Sequence, residues 1–155
     1  MMRVVRHAAA ALRAAISAPR AIDRGLAPLL EAPSAGTSGA SVPPIAPRDA
    51  TAVVTLTRRA LRLLAALPTS RWQMTCLYRG VAECLALRAL GAPAVLRLGV
   101  RGAPSTPPHA APDEARRALV AHAWVECAGL GPTPDAAMYT TLHPTATAAP
   151  RPSAD

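Results

Sequence analysis

The chain has 155 residues, 17 of them basic and 9 acidic, for a formal net charge of +8, with 17 Pro, two Trp, two Tyr and no Phe. Every basic residue is Arg and 37 residues are Ala, so one small domain with a Leu, Val and Ala core is expected, and a large aromatic-filled sandwich or barrel is excluded. The charge is uneven, +3 over residues 1–32, +7 over 48–101 and −2 over 102–155, yet the lysines, stacking rings and recognition helix of a nucleic-acid binder are missing, so no nucleic-acid partner is expected.

At the N-terminus, MMRVVRHAAAALRAAISAPRA has a charged start and an Ala-rich stretch that Arg13 interrupts, unlike the apolar region of a signal peptide. An amphipathic helix with Val4, Val5, Ala8, Leu12, Ala15 and Ile16 on its apolar side is the expected structure. No apolar run reaches the roughly 18–20 residues of a spanning helix, so no transmembrane segment is expected. A cytoplasmic location follows, and three free thiols are compatible with it.

Residues 33–48, PSAGTSGASVPPIAPR, are a Pro/Ser/Gly-rich linker with no face to bury. Asp49 is the candidate cap of a helix whose Val53, Leu56, Ala60, Leu61, Leu64 and Leu67 recur at helical spacing until Pro68. Thr75 is the candidate cap of a second helix, with Leu77, Val81, Cys84 and Leu85 as its stripe, which Gly91 and Pro93 end. Two alternating patterns predict strands. In APAVLRLGVR, Ala94, Leu96, Leu98 and Val100 share one face, and in ALVAHAWVEC, Val120, His122, Trp124 and Glu126 lie opposite Ala121, Ala123, Val125 and Cys127. The long loop between them, GAPSTPPHAAPDEAR, is a candidate rim of a site. Helices followed by neighbouring strands predict an α+β fold with a small antiparallel sheet.

Three thiols compete for a chemical role. Cys76 falls at the first helical position, where unpaired N–H groups and the positive end of the macrodipole favour a thiolate and can receive an oxyanion. Cys84 lies eight residues on, about 12 Å along the axis, too far to bridge to Cys76. Cys84 and Cys127 both read as small core residues. For Cys76 two readings stand at this stage, a nucleophile and a buried structural thiol. His122 is placed in a strand, whereas His7, His109 and His143 lie in the N-terminal helix, the Pro-rich loop and the tail. A Cys at a helix start with a His on a following strand suits acyl transfer: the imidazole deprotonates the thiol and later protonates the leaving amine. Asp135, the sole acid between Glu126 and Asp155, is the natural third member. Glu126 is four residues from His122 on the same strand, roughly 13 Å away at strand rise, and so is out of reach. No CxxC, HExxH or Walker-type glycine loop occurs, so neither a metal nor a cofactor is expected.

Read together, CLYR at Cys76–Arg79, GAPAVLRLGV at Gly91–Val100 and AHAWVE at Ala121–Glu126 resemble the transglutaminase-like cysteine peptidases of lasso-peptide biosynthesis. By that resemblance Cys76 matches the family nucleophile and His122 its base. Asp135, 13 residues beyond His122, matches the acid in one alignment, while another puts Thr133 at that position. The implied organisation is an N-terminal helical segment over 1–32, the linker over 33–48, a transglutaminase-like cysteine peptidase domain over 49–143 and a disordered tail over 144–155. The implied activity is removal of the leader from a ribosomally synthesised precursor peptide, beside a separate leader-recognition protein and an ATP-dependent lasso cyclase. The Arg-rich surface of Arg58, Arg59, Arg62, Arg71 and Arg79 then either faces that partner or simply solvates helix faces. A transglutaminase-like acyl transferase on the same scaffold, and a binding protein with a decayed site, are the alternative readings.

Overall fold

The central element is helix α4, Cys76–Ala89, and its boundaries follow from local chemistry. Thr75 holds an extended conformation and its hydroxyl accepts from the Tyr78 N–H at 3.4 Å, capping the helix start. At the other end Gly91, at φ +84, takes the left-handed conformation that a helix exit needs, and Pro93 follows. The computed structural model describes residues 2–31, 45–67, 75–102, 119–128, 130 and 136–142. Within them helices α1 (Met2–Arg24), α2 (Ala27–Leu30) and α3 (Pro47–Ala65) precede α4. Strands β1 (Val95–Gly102), β2 (Leu119–Glu126) and β3 (Thr140–Leu142) follow, with a short 3-10 turn at Ala136–Met138. The fold is α+β.

Among the described residues the strands form an antiparallel sheet in the order β2-β1-β3, with β2 at one edge. The register pairs Leu98 with Ala123 and Gly99 with His122. Leu96, Ala123 and Val125 join the core under α4, and Arg97, Gly99, His122 and Trp124 take the opposite face. Because helices cover one side of α4 and the sheet covers the other, Val81, Ala82, Cys84, Ala86 and Leu87 are all fully buried, a wider surface than the expected stripe. Gly80 permits the contact with the sheet: a Cβ there would lie 2.9 Å from Leu96 Cδ1.

Two expectations about the helices are corrected. Of the apolar side predicted for α1 only Ala15 packs, since Ala8 is exposed and Val4, Val5, Leu12 and Ile16 are 46–66% exposed. Ala10, Ala11, Ala14 and Ala18 are buried beside Ala15 and His7, and α1 shares one hydrophobic cluster with α3 and α4. Alanines let helix backbones approach closely and gather dispersion contacts along their whole length, which branched side chains would hold apart. In α3 the cap is Ala46 rather than Asp49, with Pro47 at the first position, where its missing N–H costs nothing. Asp49 sits in the first turn, complements the dipole and lies 3.5 Å from Arg3.

Arginines also tie the layers together. Arg58 of α3 donates to the nearly buried Glu83 carboxylate of α4 at 2.7 Å, so this arginine, though half-exposed, is engaged between the two helices. Arg88 gathers four backbone carbonyls, those of Pro28, Leu29, Glu31 and Ala94, and pins α2 to the α4–β1 turn.

Candidate active site

Helix α4 presents Cys76 at its first position, half-buried, where it ends against the edge strand. Its Sγ approaches the Ala121 carbonyl oxygen of β2 at 3.9 Å, and Ala121 immediately precedes His122. The first-turn N–H groups divide in two. Tyr78 donates to the Thr75 hydroxyl and Arg79 to the Thr75 carbonyl at 3.2 Å, which leaves the Cys76 and Leu77 N–H groups without an acceptor among the described residues. Two free donors beside a thiol at a helix N-terminus are the arrangement that holds an oxyanion.

His122 projects from the other face of the sheet into a set of rings. Its imidazole stacks on Tyr139 at 5.0 Å and on Trp124 at 6.0 Å between centroids. Arg101 reaches over Tyr139 with its guanidinium carbon 5.2 Å from the ring centre. Gly99, paired with His122, makes the room: a Cβ there would lie 2.8 Å from Trp124 Cη2 and 2.9 Å from Tyr139 Cβ. The structure thus brings thiol and imidazole to consecutive positions of β2 without joining them by a hydrogen bond. Among the described residues no further strand pairs with β2 on its outer side. Gly99→Ala should displace the ring stack and cost about 1–3 kcal/mol, as overpacking of a filled site does. The His122 ring resonances should move with it in a proton–carbon NMR spectrum. Unchanged resonances at unchanged stability would show that the stack does not need Gly99.

The remaining candidates sort by contact. Glu126 is paired with Arg97 at 2.8 Å, an engagement that adds to its distance from His122 along the strand. Cys84 is fully buried; burial pushes its thiol up, against an opposing pull from the Arg88 guanidinium. Burial likewise raises the Cys127 thiol. Asp135 and the competing Thr133, Trp72, Arg71, His109, His143, the loop after β1 and the tail lie outside the described residues. Among the described residues no cluster of His, Cys, Asp and Glu has the makings of a metal site, and no helix is long and apolar enough to cross a membrane. Trp124, 5% exposed, stands beside His122, its indole N–H without a partner among the described residues. Sequence reasoning missed the contributions of Gly99 and Arg101. The alternation of β1 carried the signal for both, since Arg97, Gly99 and Arg101 share the face of the strand that pairs with His122.

In a comparison of the sequence with family profiles, the transglutaminase-like superfamily matches residues 12–147. The chain belongs to that superfamily. Comparison with curated proteins and with solved structures gave no match. The transglutaminase-like scaffold is one of cysteine peptidases and acyltransferases, and both chemistries begin with a thiol attacking a carbonyl. The matched span takes in most of α1 together with α3, α4 and the sheet, the elements that share the hydrophobic core.

Proposed function

We propose that this transglutaminase-like protein is a cytoplasmic cysteine endopeptidase that removes the leader from a ribosomally synthesised lasso-peptide precursor. The observation that carries the reading is the seat of Cys76, at a helix start with two N–H donors that find no acceptor among the described residues and a thiol beside the residue preceding His122. His122, one position along β2 from the carbonyl that the thiol approaches, accepts the thiol proton; catalytic hydrogen bonds are often long in the absence of substrate. The Cys76 thiolate attacks the scissile carbonyl, and the Cys76 and Leu77 N–H groups receive the oxyanion. His122 then protonates the leaving amine and activates the water that hydrolyses the thioester. Asp135 is the group proposed to orient the imidazole. The lasso assignment rests on the Cys76–Arg79, Gly91–Val100 and Ala121–Glu126 motifs. A separate recognition protein presents the leader, and an ATP-dependent cyclase takes the freed core.

Iodoacetamide at neutral pH tests the nucleophile directly. Cys76 should be alkylated first, because Cys84 is fully buried and burial holds the thiols of Cys84 and Cys127 up. Cleavage of a lasso-peptide precursor should fall in step with Cys76 labelling. Equal labelling of all three thiols, or full cleavage after Cys76 is blocked, overturns the assignment. Acyl transfer to an amine, the second chemistry of the superfamily, is distinguished by product mass.

A further inference from the structure

Away from the thiol, α1 and α4 leave a trough. Arg6, Ala10, Arg13 and Ala14 of α1 face Leu85 and Leu90 across a groove of about 390 Å³. A second hollow of about 540 Å³ shares Arg6 and Leu90 with it and extends it past Arg3 to the start of α3 at Ala46 and Asp49. The floor is methyl groups and the rim is arginine. Arg6 and Arg13 are exposed, and neither takes part in the ion pairs formed among the described residues, Arg3–Asp49, Arg58–Glu83 and Arg97–Glu126. Next to them, Val5, Leu12 and Ile16 are 63%, 49% and 46% exposed. At 3.6 residues per turn these three fall within about 40° of one another, on the flank of the Arg6–Arg13 line.

We propose that this trough docks an acidic amphipathic helix of a partner protein. Arg6 and Arg13 are seven residues apart, about 10.5 Å along α1, so a helix laid alongside meets both with Glu residues at seven-residue spacing. Its apolar residues fill the alanine-lined floor and cover Leu12 and Ile16. Ala89 is 13 residues along α4 from Cys76, about 20 Å, so a partner seated there leaves the thiol open. Charge selects the occupant: α1 carries five Arg against one Asp in a chain of net charge +8, which repels a second copy and attracts acid. The surface is concave, which suits a helix better than a flat anionic membrane.

The test is fluorescence anisotropy on the full chain with a fluorescein-labelled helical peptide bearing Glu at seven-residue spacing beside a Leu and Ala stripe. Its Lys-for-Glu counterpart, and vesicles of equimolar phosphatidylcholine and phosphatidylserine, are the comparisons. The Glu peptide should bind, more weakly as salt rises, and the Lys peptide should not. Arg6→Glu with Arg13→Glu should weaken the Glu peptide roughly tenfold and admit the Lys peptide, a swap that an unfolded variant does not make. Reversing the exposed Arg59 and Arg62 of α3 should change nothing. Equal binding of both peptides, binding unaffected by reversal at Arg6 and Arg13, or vesicle binding without peptide binding overturns the proposal. The readout needs no chemistry at Cys76, so it stands or falls apart from the peptidase reading.

Discussion

Cys76→Ala should abolish precursor cleavage, with a loss of about ten-thousand-fold or more in kcat, while the protein stays folded. The size follows from the role: a nucleophile that forms a covalent intermediate has no substitute, and what survives its removal is the contribution of binding and oxyanion donors. Stability should change by less than about 1 kcal/mol. The side chain is half-buried at the first position of α4, its one polar contact is the long approach to Ala121, and Ala is a good residue there. Cys84→Ala makes the contrast. That thiol is fully buried against the Ala94 carbonyl at 3.6 Å, so its loss should lower stability by about 1 kcal/mol or more and leave kcat alone. Cleavage assays paired with urea unfolding on both variants separate the two roles. Retained activity in Cys76→Ala would remove the basis of the peptidase reading.

How far the sequence discloses this arrangement depends on whether a signal is local. Thr75, Gly91 and Pro93 mark α4 because capping and left-handed exits are decided within a few residues, and the observed helix ends where they stand. The alternation through β1 and β2 is equally local, and it puts His122 and Trp124 on the face away from α4. The buried side of α1 is not local. With Ala at so many positions two apolar stripes can be drawn on that helix, and bulk favours the one with Val5, Leu12 and Ile16. Packing against α3 and α4 selects the other, where only methyl groups allow close approach. Strand β3 has three residues, too few for a periodic signal, yet it carries the chain past Tyr139, whose ring stacks on His122. Trp124 and Tyr139 gather around the imidazole. What the pattern leaves out is that the thiol of Cys76 meets β2 at the Ala121 carbonyl, next to His122.

Arg88→Ala should be among the most damaging single changes in the helical layer, lowering stability by about 3 kcal/mol and the melting temperature by about 10 °C. In sequence Arg88 is one of 17 arginines. In the fold its Nε donates to the Ala94 carbonyl at 2.7 Å, Nη1 to Pro28 at 2.6 Å, and Nη2 to Leu29 at 3.2 Å and to Glu31. Three of these acceptors belong to α2 or its C-cap, four residues of helix with no length to be stable alone, held by this guanidinium and by the burial of Leu29. The fourth, on the fully buried Ala94, loses its strongest donor with no water to replace it. Arg88→Lys should recover less than half the loss, because an ammonium on one flexible stem does not match a planar fork spread over four carbonyls. Thermal melts of the three proteins decide it. A Lys variant as stable as wild type, or an Ala variant within about 2 °C of it, would mean that α2 is held by Leu29 alone and that the guanidinium fork adds nothing.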